Sequence, residues 1–230
     1  MTWVKICGMT NLEDALVAVE AGADAVGFVF YEKSPRCVTV EAAREIVAKL
    51  PEEIEKVGVF VGSTAEAVIE SSNAVGLTAV QIYPDANDQL PVLGEEFFRK
   101  AQCDVIVAMP ARLLEGPKDK KPGGFLLSCK ALNRILAILV DSGDAQRPGG
   151  TGEKFDWERA AWIRDALSRA GVRLMVAGGL TPRNVGEAMS IFRPWGVDVV
   201  SGVETRPGKK DPEKVREFVR AVREMDRKVG

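Results

Sequence analysis

Eight short runs rich in Val, Ile and Phe recur along the chain, and their regular alternation with amphipathic stretches leaves few layouts open. The runs are WVKIC (3 to 7), AVGFVF (25 to 30), KVGVFV (56 to 61), AVQIY (79 to 83), DVIVAM (104 to 109), ILAILVD (135 to 141), RLMVAGG (173 to 179) and DVVSGVE (198 to 204). Between most of them lie segments with apolar residues at helical spacing, such as TNLEDALVAVEAG, TVEAAREIVAKL, STAEAVIESSNAVG and DPEKVREFVRAVREM. Thr10, Thr39, Ser63, Asp156, Thr181 and Asp211 are candidate N-caps for these helices. Strands and helices alternating every 25 to 35 residues or roughly so describe an α/β fold, the (β/α)8 barrel of the TIM type. A doubly wound open sheet is the competing layout. The 230 residues suit one such barrel over 1–230, treated as a single domain. The stretch 110–134 fits least well: EGPKDKKPGG reads as an exposed loop, with a short or irregular fifth helix.

Apolar residues make up 46% and charged residues 28%, enough for a large core beneath a polar surface. Thirty-one basic against thirty-three acidic residues give a net charge of −2, which offers no global attraction to nucleic acid or an anionic membrane. A phosphate must therefore be met by local geometry. The opening MTWVKICGMT is unlike a signal peptide and no apolar run is long enough to span a bilayer, so a cytoplasmic protein is expected. Histidine is absent, and Cys7, Cys37, Cys103 and Cys129 form no CxxC pair, which removes most zinc-site patterns. A disulfide framework does not suit a chain with a full-sized core and no export signal. Thiol chemistry, or simple burial of these cysteines, remains.

In a barrel, chemistry gathers at the C-terminal ends of the strands. Alternation places Lys5 and Cys7 on the inner face of the first strand, with Cys7 nearest the mouth. A neighbouring cation favours the thiolate, which could then act as base or nucleophile; the alternative is an inert buried cysteine. The sixth strand ends on Asp141, inward like Ala137 and Leu139, where desolvation would raise its pKa toward that of a general acid. A helix cap or loop hydrogen bond is the competing role. Glycine-rich loops follow the sixth strand (RPGGTGEKFDW) and the seventh (AGGLTPRN), and SGVE follows the eighth. Such loops let backbone N–H groups approach a phosphate, although sharp turns need glycine too. Arg36, between a proline and a helix start, could hold an anion through two N–H groups or simply be solvated.

These segments together resemble the phosphoribosylanthranilate isomerases, (β/α)8 enzymes of tryptophan biosynthesis. The resemblance rests on KICGMT, GFVFYEKSPRCV, VGVFV, GGTGEKFDW, AGGLTPRNV and SGVE, in the family's order and spread across nearly the whole chain. It implies that Cys7 is the general base and Asp141 the general acid of an Amadori rearrangement that needs no cofactor. Arg36 would hold the anthranilate carboxylate. Backbone N–H groups of Gly178, Gly179, Ser201 and Gly202 would bind the phosphate, and the loop 149–152, with Gly150, would cover the site. The partner implied is a small phosphorylated substrate, and the molecule is expected to be a monomer or a homodimer.

The chain departs from the family pattern twice. QIYPD replaces the usual QLHG after strand four, so Tyr83 stands at the mouth, where a phenol can stack on the anthranilate ring and donate one hydrogen bond. Val200 replaces a serine of the family's SSG. Two other functions compete: an isomerase of a related aminophosphosugar, and a non-catalytic paralogue that binds a phosphoribosyl group. Cys7 opposes the first, because the dual-substrate barrels typically use aspartate there; the retained acid and base oppose the second.

Overall fold

The computed structural model describes residues 1–84, 95–114, 135–143 and 155–229. Eight parallel strands close into a barrel in chain order: β1 (Trp3–Cys7), β2 (Ala25–Val29), β3 (Glu55–Val61), β4 (Ala79–Tyr83), β5 (Asp104–Pro110), β6 (Ile135–Asp141), β7 (Leu174–Val176) and β8 (Gly196–Val199). The open-sheet alternative is thereby excluded, since β1 pairs with both β2 and β8. The described helices are α1 (Leu12–Glu20), α2 (Val40–Val47), α3 (Ala65–Val75), α4 (Glu95–Ala101), α5 (Trp157–Ala160), α6 (Trp162–Ala170), α7 (Val185–Phe192) and α8 (Pro212–Val229). None of the described helices is long and apolar enough to cross a membrane.

Parallel strands are buried on both faces, which is why the runs read as nearly continuous Val and Ile. Their alternate residues separate into two apolar clusters. Val4, Ile6, Val26, Phe28, Ile138 and Val140 pack outward against the helices. Cys7, Ala25, Val59, Tyr83, Leu139 and Met175 fill the barrel. Inside and outside thus fall as strand alternation dictates.

Two strands depart from the sequence expectation by more than one residue. The extended run assigned to 198–204 lies mostly beyond the strand: β8 ends at Val199, Val200 turns the backbone (φ −121°, ψ −88°), and Ser201–Val203 form one 3-10 turn. The true start was hidden by the turn-like PWG preceding it, where Trp195 stacks on Trp3 with ring centroids 5.1 Å apart. On the seventh strand AGG belongs to the loop, because Gly178 and Gly179 take positive φ values of 83° and 64°. Thr39, Asp156 and Asp211 cap helices, but Asn11 and Thr64 replace Thr10 and Ser63. At the start of α7 Asn184 replaces Thr181 as the flanking residue. After β5 the described chain forms one 3-10 turn, Ala111–Leu113; the remainder of the expected irregular stretch lies outside the described residues.

Candidate active site

Cys7 is the last residue of β1, buried and directed into the barrel. Its register partner on β2 is Gly27. The pairing demands glycine, because a Cβ there would lie 2.4 Å from Cys7 Sγ and 3.1 Å from Lys5 Cε. Lys5, fully buried at 0% exposure, sits opposite Asp198 in the β1–β8 register. Its Nζ lies 3.0 Å from Asp198 Oδ2 and donates to Gln81 Oε1 at 2.9 Å. Burial opposes the charge on Lys5, but Asp198 and Cys7 together outweigh it and hold the ammonium above its ordinary pKa. Lys5 favours the thiolate of Cys7, as its place on the strand predicts, but it does not act alone. Burial pushes the thiol above its ordinary pKa, more than Lys5 pulls it down.

Asp141 ends β6 and is likewise buried. Burial raises its pKa above the usual carboxylate value, and hydrogen bonds from Tyr83 and from the backbone of Gly143 only partly oppose this. Tyr83, on β4, donates its hydroxyl to Asp141 Oδ2. Burial and the adjacent Asp141 push the phenol well above its ordinary pKa, so it remains a donor. The substitution at the end of β4 therefore supplies a brace for the carboxyl group, in addition to a wall of the cavity.

Arg36 is buried, which removes the solvated reading. Glu204 accepts from its Nε at 2.9 Å and from its Nη2 at 2.7 Å. The guanidinium fork is thus held along one edge, with Nη1 outside these two bonds. Sequence reasoning missed Gln81, Asp198, Glu204 and Lys210. Asp198 could have been found as the inward carboxylate opposite Lys5 once the start of β8 was known.

Two cavities meet along Asp198 and Val200. One is lined by Cys7, Arg36, Tyr83 and the apolar side chains Val29, Val59 and Val61. The other is lined by Asp141, Gly178, Gly179 and Ser201. Gly202 follows Ser201 in the 3-10 turn. A Cβ on Gly178 would lie 2.5 Å from the backbone nitrogen of Ser142, so the loop can close on β6 only with glycine there. Asn184 braces the same loop, donating to the Gly179 carbonyl at 2.9 Å and accepting from Thr181 N–H at 2.8 Å. Asp198 is 3% exposed, and its Oδ1 has no hydrogen-bond partner among the described residues. Gly150 and the loop 149–152 lie outside the described residues, as does Cys129. Among the described residues, Cys7, Cys37 and Cys103 are not joined by disulfides.

The model of the N-(5'-phosphoribosyl)anthranilate (PRA) isomerase family matches residues 4–221. The chain belongs to the PRA isomerase family. An N-(5'-phosphoribosyl)anthranilate isomerase of Geobacter sp. (strain M21) is 42% identical over 227 residues, 98% of this chain and 100% of that protein. A crystal structure of phosphoribosyl anthranilate isomerase in complex with reduced 1-(o-carboxyphenylamino)-1-deoxyribulose 5-phosphate has 36% identity and a TM-score of 0.74, covering 97% of this chain and 100% of that one. Monomers generated from the dimeric enzyme of Thermotoga maritima give 36% identity and a TM-score of 0.75 over 97% and 100% of the two chains. PRA isomerase relatives thus match this chain over nearly all of its length, including the strand ends that carry the site.

Proposed function

We propose that this chain isomerises N-(5'-phosphoribosyl)anthranilate to 1-(2-carboxyphenylamino)-1-deoxyribulose 5-phosphate, with Asp141 as general acid and Cys7 as general base. The observation that carries the assignment is the placement of these two groups at the ends of β6 and β1, each lining one of two adjoining cavities. The apolar cavity suits the anthranilate ring, with Arg36 toward its carboxylate. The cavity beside Gly178, Gly179, Ser201 and Gly202 suits the phosphate, whose charge backbone N–H groups can meet without a cation. Asp198 Oδ1, buried between them, offers an acceptor to a sugar hydroxyl.

Protonated Asp141 gives its proton to the ribose ring oxygen as the anilino nitrogen expels that C–O bond, forming a protonated Schiff base. The Cys7 thiolate then removes the proton from C2, leaving an enolamine. Loss of the enol proton and gain of one at C1 give the ketone, so the net change is an isomerisation. Acid and base stay apart because they line different cavities. A cytoplasmic enzyme, acting as a monomer or a homodimer, fits this reading.

The test is turnover of freshly prepared phosphoribosylanthranilate, followed by fluorescence, for the wild type, Cys7→Ser and Asp141→Asn. Wild type should turn over, and each variant should lose roughly 10²- to 10⁴-fold in kcat, the scale of a removed general acid or base. A wild type that binds the reduced product analogue without turning over substrate would identify a binding paralogue. Full activity of Cys7→Ser would remove Cys7 from the mechanism.

A further inference from the structure

After β8 the chain makes a small hairpin of two strands, Glu204–Arg206 and Lys209–Lys210. Thr205 and Arg206 are exposed, yet Lys210 is only 1% exposed. Its Nζ donates to the carbonyl of Cys7 at 2.6 Å, to Glu204 Oε1 at 3.0 Å and to the carbonyl of Val200 at 3.3 Å. Glu204 in turn holds two nitrogens of Arg36 and accepts from Gly208 N–H at 3.2 Å. The hairpin is itself pinned to the β1–α1 segment. Thr10 Oγ1 donates to the Gly208 carbonyl at 2.6 Å, and Asp14 accepts from Lys210 N–H and Lys209 Nζ, each at 2.7 Å.

A buried ion pair contributes little stability that a well-packed apolar pair could not match, because desolvation cancels most of the attraction. Fixed geometry is what such a cluster adds. Here one end of the cluster is the backbone of Cys7, and the other is the guanidinium facing the apolar cavity. We infer that Glu204 and Lys210 are positioning residues, which tie the carbonyl of Cys7 and the Arg36 guanidinium into one unit and so fix the distance between base and carboxylate clamp. The roles of Cys7 and Arg36 in this inference rest on the function proposed above. Neither Glu204 nor Lys210 need touch substrate.

The cluster also sets the charge near Cys7. Lys5 from β1, Asp198 from β8, Tyr83 from β4 and Lys210 from the hairpin interact electrostatically with its thiol. Removing the Lys210 cation should therefore make the thiolate harder to form, and so should removing the Glu204 charge, which keeps Lys210 protonated against its burial. Alkylation needs the thiolate. The experiment follows iodoacetamide labelling of the Cys7 peptide against pH by mass spectrometry in Lys210→Met, Glu204→Gln and the double variant, with exposed Cys37 as internal reference. Upward shifts of about one pH unit are expected in both single variants, with no further shift in the double variant. A merely structural role would let water reach the thiol and move the profile downward, or leave it unchanged, and either result overturns the inference. Urea unfolding of each variant checks that it is folded; if Lys210→Met is not, the upward shift in Glu204→Gln decides alone.

Kinetics supply the second arm. On KM, Glu204→Gln should give about a tenfold rise and should add nothing to Arg36→Met in the double variant, since both act through one clamp. Multiplying effects would overturn the clamp role. Should the proposed reaction be wrong, wild type would neither turn over phosphoribosylanthranilate nor bind its reduced product, and the labelling result would still judge the positioning.

Discussion

Burial raises the pKa of both Cys7 and Asp141, so the resting site holds a thiol and a carboxyl group whose working forms pull in opposite directions. The proposed mechanism needs Asp141 protonated and Cys7 ionised. With the carboxyl titrating below the thiol, as their ordinary values of about 3.9 and 8.5 dictate, that combination is a minor form throughout the intervening range. The dependence of kcat/KM on pH should then be bell-shaped, with its acidic limb above the ordinary carboxylate range and its alkaline limb above the ordinary thiol range. Below the Asp141 value, further acid adds no protonated carboxyl and only removes thiolate. Above the Cys7 value, further base adds no thiolate and only removes the acid. In Asp141→Asn the alkaline fall should vanish, so that residual kcat/KM climbs with unit slope until Cys7 titrates and then stays level; an alkaline fall that persists would belong to another group. The side chains of this pair were legible in the sequence, because strand alternation is enough to aim Cys7 and Asp141 inward. The sign of the effect on Cys7 was not, because it depends on how completely the closed barrel buries the thiol, with Asp198 from a distant strand adding to the rise.

Strand register decides how the base is seated. Gly27 faces Cys7 across β1 and β2, and the missing side chain leaves room for both Cys7 Sγ and Lys5. Gly27→Ala should destabilise the protein by about 1–3 kcal/mol through overpacking and should lower kcat more than it raises KM. Urea unfolding and steady-state kinetics measure the two effects, and a variant with wild-type kcat would show that Cys7 tolerates displacement. Glycine in an apolar strand run signals a close approach of some kind. Which side chain approaches is fixed only by register. The same limit applied to the eighth strand, where the extended run was assigned two residues late and Asp198 passed unnoticed. Helix caps were off by one residue at α1 and α3 for a related reason. Neighbouring Thr, Asn and Ser are all good caps, and Thr10 is engaged by the hairpin instead.

Closure of the whole molecule depends on its two ends meeting. Arg223 on α8 donates to the carbonyls of Thr2 and Gly22 and to Asp24, while Asp226 accepts from the backbone N–H of Thr2 at 2.9 Å and its hydroxyl at 2.6 Å. These bonds fasten the last helix over the start of β1, beside the β1–β8 seam. Arg223→Met leaves several partly buried acceptors without a donor, and should cost roughly 2 kcal/mol. Its urea midpoint should fall while the transition stays single, as one cooperative barrel domain requires. Two separated transitions would mean that the barrel seam opens before the rest unfolds.

The sequence alone determined the alternation of buried strands and helices, the inward aim of the strand-end residues, and the loops able to meet an anion. These follow from periodicity and from backbone conformations that only glycine adopts readily. Tertiary structure alone decided the partners: Asp198 for Lys5, Tyr83 for Asp141, and Glu204 with Lys210 for Arg36 and the carbonyl of Cys7. The contacts of Lys210 with Cys7 and of Glu204 with Arg36 span 203 and 168 residues of chain. Local pattern carries no information across such distances. Barrel closure brings the first strand and the final hairpin together, and the charges that meet there fix both the protonation and the placement of the groups at the mouth.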